Sequence, residues 1–304
     1  MEKLIEGVYS ALLTPRLAGD SIDGTAVAKL IGFQIGRGIR SYAINGATGE
    51  FCLTTPRQLK DVFAAVLHAT GGDATILCGV GGAGVVQVLE LAKIAEDNGA
   101  AALLVPSPYF FPYQQDDLRV FFETVATRVN LPIMLYNLPQ FTSGLQATTA
   151  CQLIRDVPNI IGIKDSSGSL DILRTLTDEH IFCCRVVGND SALAQAIREG
   201  VCDGVISGIA CIVPDLIQTI FDRSSSDSQS FSLAQGLLTQ LIEQLDAFPT
   251  PWGLRWGLEA LGVTHAWSAQ PVSTRRAEQS RRFMHWLQTW HSSQLPQLGI
   301  PVLQ

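Results

Sequence analysis

Apolar segments alternate with amphipathic ones over the first 226 residues of the chain. Several apolar segments, such as 101–106, are continuously apolar, which is typical of strands buried on both faces of a parallel sheet. The amphipathic segments between them have the period of surface helices. Eight such units predict a TIM barrel, with a doubly wound open sheet as the main alternative. The predicted strands are 7–15, 41–45, 74–80, 101–107, 132–137, 160–167, 182–188 and 202–208.

The rest of the chain has no strand pattern. Its periodicity predicts helices over about 228–247, 252–261 and 274–291, joined to the barrel by a polar link at 224–232. We therefore expect a catalytic (β/α)8 barrel over 1–226 and a C-terminal helical extension over 227–304.

Composition excludes several classes of function. The net charge of −7 and the lack of a large basic cluster argue against a nucleic-acid partner. No apolar run has the length of a membrane span, and the N-terminus lacks the apolar core of a signal peptide, so we expect a soluble, cytoplasmic protein. The seven cysteines have no CxxC spacing and the five histidines are scattered, so we predict no metal site.

Lys164 is the one lysine carried by a predicted buried strand; the other four are terminal or lie in predicted helices. A desolvated amine loses its charge, because a low dielectric disfavours the ammonium form. A neutral amine is a nucleophile toward ketones and aldehydes. The alternative is a lysine that extends to solvent at the strand end or pairs with Asp165.

Three other segments place reactive groups where catalytic residues of a barrel lie, at the C-terminal ends of strands. The glycine-rich loop 45–50 contains Thr48 and is suited either to binding a carboxylate or to a simple tight turn. Tyr136 closes the fifth strand and can transfer protons, or it can merely anchor the rim. Gly188 and Asp190 follow the seventh strand, where Asp190 with Ser191 is also suited to capping a helix.

Together these motifs resemble the dihydrodipicolinate synthase and N-acetylneuraminate lyase superfamily of Schiff-base aldolases. They are Gly-x-Thr-Gly-Glu at 46–50, Tyr-Asn-x-Pro at 136–139 and Gly-Ile-Lys-Asp-Ser-Ser-Gly at 162–168. The resemblance covers essentially the whole chain. It implies that Lys164 forms an imine with pyruvate or another 2-oxo acid, that Tyr136 moves protons, and that Thr48 holds the carboxylate. It also implies no cofactor besides this covalent imine, and a homotetramer built as a dimer of dimers.

Some positions depart from the lysine-biosynthesis branch of that superfamily. Phe141 stands where the branch has an arginine for the carboxylate of its semialdehyde, and Ala47 replaces a hydroxyl residue. Phe110 matches a tyrosine that the branch contributes across a subunit interface. Asp190 matches a residue that contacts substrate hydroxyls in the neuraminate lyase. The expected substrate-binding residues are Ala47, Gly188, Asp190, Ser207, Phe110 and Phe141.

These departures favour an aldolase that releases pyruvate from a 2-keto-3-deoxy sugar acid or a related 4-hydroxy-2-oxo acid, with an aldehyde as the other product. The alternatives are 4-hydroxy-tetrahydrodipicolinate synthase and an imine-forming dehydratase. A non-catalytic relative that binds 2-oxo acids is a further alternative, and the retention of Lys164 and Tyr136 argues against it.

Overall fold

The computed structural model describes residues 4–222, 228–267 and 270–301. Eight parallel strands pair in chain order, and the last pairs with the first, so that they close a barrel. This confirms the predicted TIM barrel. The strands are β1 Gly7–Ala11, β2 Ser41–Ile44, β3 Thr75–Gly79, β4 Ala102–Pro106, β5 Ile133–Asn137, β6 Ile160–Asp165, β7 Cys184–Val187 and β8 Gly204–Ser207.

Helices surround the barrel and follow the strands along the chain. Local signals set their ends: α2 begins with a reciprocal hydrogen-bonded box between Thr55 and Gln58 and stops at Gly71, which is left-handed. The barrel helices are α1 Gly24–Ile35, α2 Pro56–Thr70, α3 Val85–Asp97, α4 Gln115–Ala126, α5 Ala147–Asp156, α6 Asp171–Asp178, α7 Asp190–Glu199 and α8 Pro214–Asp222.

Buried side chains form an inner and an outer layer. Inside the barrel, alternate residues of the strands pack on one another, among them Leu77, Leu104, Met134 and Val186. The residues between them point outward and pack against the helices. Both faces of each strand are therefore covered, which explains the continuously apolar strand sequences.

Three further helices make up the C-terminal extension: α9 Ser228–Leu245, α10 Trp252–Ala260 and α11 Thr274–Gln294. Helix α9 packs against α7 and α8, and α10 packs against α11. The predicted link at 224–232 is wrong in its second half, because α9 begins at Ser228. The predicted boundary between 226 and 227 lies outside the described residues. No helix within the described part of the chain is long and apolar enough to cross a membrane.

Candidate active site

Lys164 and Tyr136 are neighbours in the register of β6 and β5, at the C-terminal end of the barrel. The Lys164 Nζ donates a hydrogen bond of 2.9 Å to the Tyr136 hydroxyl and lies 4.1 Å from the centroid of its ring. Both side chains are almost fully buried, with 3% and 2% of their surface exposed. The structure therefore places an amine and a proton-transferring hydroxyl in direct contact, shielded from bulk water.

Asp165 does not pair with Lys164, so that alternative from the sequence is wrong. As the next residue along the strand it points to the other face, where its Oδ1 accepts hydrogen bonds from the Asn137 side chain (3.0 Å) and from the Ser167 backbone N–H (2.9 Å). Burial is the main cause that raises the pKa of Asp165. Its role is to hold the ends of β5 and β6 together.

A cavity of about 360 Å³ opens above Lys164 and Tyr136. The structure brings most of the predicted site residues to its wall, and leaves Ser207 and Phe110 elsewhere. Those on the wall are Ala47, Thr48, Tyr136, Phe141, Lys164, Gly188 and Asp190.

The loop that carries Thr48 is held against the end of β3. Asn45 adopts a left-handed conformation with φ of +51°, and its side-chain amide donates to the Gly79 carbonyl at 2.7 Å. A Cβ on Gly79 would lie 2.0 Å from the Asn45 carbonyl oxygen, so this contact requires glycine. Within the described residues, the backbone N–H groups of Ala47 and Thr48 donate to no protein acceptor. Together with the Thr48 hydroxyl, these groups are suited to binding a carboxylate.

Asp190 is the first residue of α7 and reaches the cavity. The helix cap is its neighbour Asn189, whose side chain accepts from the Ser191 N–H at 3.1 Å; the predicted cap by Asp190 and Ser191 is therefore wrong. The Asp190 carboxylate accepts from the Ile209 N–H at 3.4 Å. Burial raises the pKa of Asp190 to about 6, although hydrogen bonds from Ser207 and Ile209 and the charge of Lys164 oppose the shift.

Ser207 is fully buried behind Asp190 and does not line the cavity. Its hydroxyl accepts from the Ala210 N–H at 3.0 Å and acts to lower the pKa of Asp190. Ser207 therefore lies outside the cavity wall, and its contact with substrate stays a prediction.

Two phenylalanines that depart from the family pattern have different surroundings. Phe141 lies at the edge of the cavity with 57% of its surface exposed. Phe110 is 83% exposed, has φ of +85°, packs edge-on against Phe111, and lies outside the cavity of its own chain. Its neighbour Tyr109 packs edge-on against Phe51, with ring centroids 5.8 Å apart.

The C-terminal extension supplies one wall of the cavity, which sequence reasoning missed. Asp246 and Thr250 lie in the loop that follows α9, and Leu254 lies in α10. Their contact with the barrel joins residues far apart in the chain, so no local pattern indicates it. Sequence reasoning also missed Ser166, although it lies in the lysine motif.

The charges around the cavity are unequal. Of the described residues that line it, Lys164 alone has a cationic side chain, whereas Asp190 and Asp246 are acidic. No group of three or more His, Cys, Asp or Glu side chains suited to a metal ion occurs within the described residues.

Comparison with known proteins gives consistent results. The model of the "Dihydrodipicolinate synthetase family" matches residues 4–289. The chain is 30% identical over 285 residues to 4-hydroxy-tetrahydrodipicolinate synthase of Methanococcoides burtonii. The matched region covers 91% of this chain and 96% of the relative. It is 28% identical over 279 residues to the enzyme of that name from Cellvibrio japonicus, covering 90% and 95%.

Two similar solved structures contain pyruvate. The chloride-inhibited dihydrodipicolinate synthase of Acinetobacter baumannii, complexed with pyruvate, is 26% identical with a TM-score of 0.85, covering 93% of this chain and 99% of its own. YagE, a prophage protein of the dihydrodipicolinic acid synthase family from E. coli K12, in complex with pyruvate, is 25% identical with a TM-score of 0.86, covering 94% and 99%.

Gly188 leaves the space that Lys164 occupies. A Cβ there would lie 2.1 Å from the Ser166 hydroxyl and 2.7 Å from Lys164 Cε, so we expect Gly188→Ala to displace the amine. For the pyruvate imine that the resemblance implies at Lys164, the rate of borohydride trapping should then fall about 100-fold, because small misplacements of reacting groups have effects of this order. Gly236→Ala in α9, where a Cβ meets nothing within 4 Å, is the matched control and should leave the rate unchanged. A normal rate in the Gly188→Ala protein would show that Lys164 does not need this space.

Asp190 should make stability depend on pH. Its folded-state pKa of about 6 lies above the ordinary 3.8, so folding favours the protonated form, and this contribution is lost as the pH rises from about 4 through 6. Asparagine does not ionise, so the Asp190→Asn protein does not lose this stability as the pH rises. The difference in free energy of unfolding, variant minus wild type, should therefore increase across that window by less than about 1.4 kcal/mol per pH unit. Urea unfolding at pH 4, 5, 6 and 7 measures the difference; a difference independent of pH would contradict the raised pKa.

Proposed function

The chain belongs to the dihydrodipicolinate synthetase family, and on that premise we propose that Lys164 forms an imine with the ketone of pyruvate or a related 2-oxo acid. The observation that carries the proposal is the buried 2.9 Å contact between Lys164 Nζ and the Tyr136 hydroxyl, at the barrel end where catalytic groups lie. The pyruvate in two similar structures supports the choice of 2-oxo acid.

The reaction begins when the Lys164 amine attacks C2 of the 2-oxo acid. The nitrogen gives up one proton and the former ketone oxygen takes up two, one of them that proton, so that the oxygen leaves as water and a protonated C=N bond forms in its place. Tyr136 touches the amine directly and is placed to pass these protons. The Thr48 hydroxyl and the free N–H groups of Ala47 and Thr48 hold the carboxylate, which fixes the plane of the ketone.

A protonated imine withdraws electrons from C3. Loss of a proton from C3 then gives an enamine, whose C3 attacks the carbonyl carbon of an aldehyde; the reverse sequence cleaves the same bond. Hydrolysis of the imine frees Lys164 for the next cycle. The chain is accordingly a carbon–carbon lyase of the class I aldolase type, which needs no metal. We further propose that it uses no cofactor besides the covalent imine.

The first candidate for the full reaction is 4-hydroxy-tetrahydrodipicolinate synthesis. The curated relatives have this name, with the match covering almost the whole of this chain and of theirs in several cases. The comparisons therefore support this alternative better than the sugar-acid cleavage that the sequence analysis preferred.

The second candidate is cleavage of a 2-keto-3-deoxy sugar acid or a related 4-hydroxy-2-oxo acid, and the charges of the cavity favour it. A semialdehyde that carries its own carboxylate requires a cation, and an arginine is the usual partner. Phe141 lies where the resemblance expects that arginine, and Lys164 is the one cation among the described lining residues. Asp190, Asn189 and Gln140 are instead suited to hydrogen-bonding hydroxyl groups.

Four expectations from the sequence stay predictions. A dehydratase that uses the same imine would release water from a sugar acid without releasing pyruvate. The homotetramer rests on the resemblance, as does the contribution of Phe110 to a partner's site. The cytoplasmic location likewise rests on the sequence alone.

Trapping tests the imine. We expect pyruvate plus borohydride to add one reduced pyruvate per chain, on the peptide that contains Lys164, because borohydride reduces an imine to a stable amine. Intact mass followed by peptide mapping measures the adduct, and the Lys164→Ala protein is the control. An unmodified wild-type protein at saturating pyruvate would refute the proposal.

Turnover of two aldehydes separates the candidates. The cavity predicts that kcat/KM with glyceraldehyde and pyruvate exceeds kcat/KM with aspartate semialdehyde and pyruvate, and that Phe141→Arg shifts the ratio toward the semialdehyde by about tenfold or more. Phe141→Leu is the control without charge. A wild-type preference for the semialdehyde would establish the synthase and overturn the argument from the cavity charges.

A further inference from the structure

Glu50 ends the motif at 46–50, yet it does not reach the cavity. It is buried, with 8% of its surface exposed, and adopts a left-handed conformation with φ of +57°. Its carboxylate forms an ion pair with Arg255 of α10, which is 1% exposed. The Arg255 guanidinium also donates to the Trp267 carbonyl at 3.2 Å and lies 5.1 Å from the Trp267 ring centroid.

Stability alone is a weak reason for such a pair. Removing two charges from water costs free energy that their attraction only partly returns, and apolar replacements of similar volume are often as stable. Burial lowers the pKa of Arg255, against the opposing effect of Glu50. A buried ion pair does, however, fix the relative position of the two segments that carry it, because separating them leaves both charges without partners.

Both segments form walls of the cavity. Thr48 precedes Glu50 by two residues, and Leu254 is adjacent to Arg255; both line the cavity. They approach each other at Gly208, where a Cβ would lie 3.2 Å from Leu254 Cδ1 and 3.4 Å from the Thr48 hydroxyl. The position of the Thr48 loop thus depends on α10 as well as on the barrel.

The other attachments of the loop lie at its two ends. Before it, the Asn45 side chain donates to the Gly79 carbonyl. After it, the Thr54 hydroxyl donates to the Glu50 carbonyl at 3.3 Å and accepts from Arg16 at 3.0 Å. Among the hydrogen bonds and ion pairs of the described residues, the pair of Glu50 with Arg255 joins this loop to the C-terminal extension.

We propose that Glu50 and Arg255 are a positioning pair that holds the loop of Ala47 and Thr48 against α10 and thereby sets the affinity for the carboxylate of the 2-oxo acid. The inference rests on the proposed imine chemistry. It predicts that loss of the pair raises the pyruvate concentration needed for half-maximal imine formation. The amount of imine formed at saturating pyruvate should change much less.

Glu50→Gln tests the proposal, because it keeps the shape of the side chain and removes its charge. We expect the pyruvate concentration that gives half-maximal borohydride trapping to rise about tenfold or more, with nearly complete trapping at saturation. Arg255→Lys keeps the charge but loses the planar fork, so it should give a smaller rise in a stably folded protein. If the Glu50→Gln protein does not fold, the half-saturating pyruvate concentration of the Arg255→Lys protein tests the proposal in its place.

Asp203→Asn is the matched control. Asp203 pairs with Arg185 at 2.7 Å, and the two side chains are 12% and 15% exposed, but they lie at the N-terminal ends of β8 and β7, away from the cavity. This variant should lower the melting temperature without changing the half-saturating pyruvate concentration. A purely structural Glu50 predicts that Glu50→Gln behaves in the same way, and that result would overturn the proposal. A wild-type protein that traps no pyruvate would instead refute the imine chemistry itself.

Discussion

The pairing of β5 with β6 determines the chemistry of this protein, because it sets the Tyr136 hydroxyl and the Lys164 amine side by side inside an apolar barrel. A slip of one residue in either strand would turn its side chain, Tyr136 or Lys164, toward the outer helices. The register shifts once, between Ile133 and Met134, and Gly162 allows the close approach of β7, since a Cβ there would lie 2.1 Å from the Cys184 carbonyl oxygen. Because the sheet is closed, the register of β5 with β6 fixes where Tyr136 and Lys164 lie.

The polar side chains at the ends of β5 and β6 are divided between the two faces of the sheet: Tyr136 and Lys164 point inward, and Asn137 and Asp165 point outward. The Asn137 side chain donates to Asp165 on the outer face, so the acidic neighbour of Lys164 is kept out of the cavity. Asp190 instead lines the cavity, and the Ile209 N–H donates to its carboxylate at 3.4 Å. The amine thus shares its cavity with the Thr48 loop, which offers hydrogen-bond donors, and with the Asp190 carboxylate, which accepts hydrogen bonds.

The sequence predicts what depends on local patterns. All eight strands are found, because burial on both faces leaves a continuous apolar run, and Lys164, Tyr136 and Thr48 meet because strand ends converge on one face of a barrel. The first strand ends at Ala11, whereas the sequence predicts that it continues to residue 15. The prediction is too long because Leu12 and Leu13 remain buried after the chain leaves the sheet, so the apolar run extends past the strand. The wall from Asp246 to Leu254 and the ion pair of Glu50 with Arg255 depend on packing between distant segments, which local periodicity does not encode.

A crystal structure of the wild-type protein soaked in pyruvate, without reductant, is the sharpest test of whether Lys164 bonds covalently to a 2-oxo acid within this cavity. The account predicts continuous electron density from Lys164 Nζ to C2 of the ligand, with the carboxylate at the N–H groups of Ala47 and Thr48. Pyruvate bound without a bond to Lys164, or a cavity with no ligand at saturating pyruvate, would contradict it.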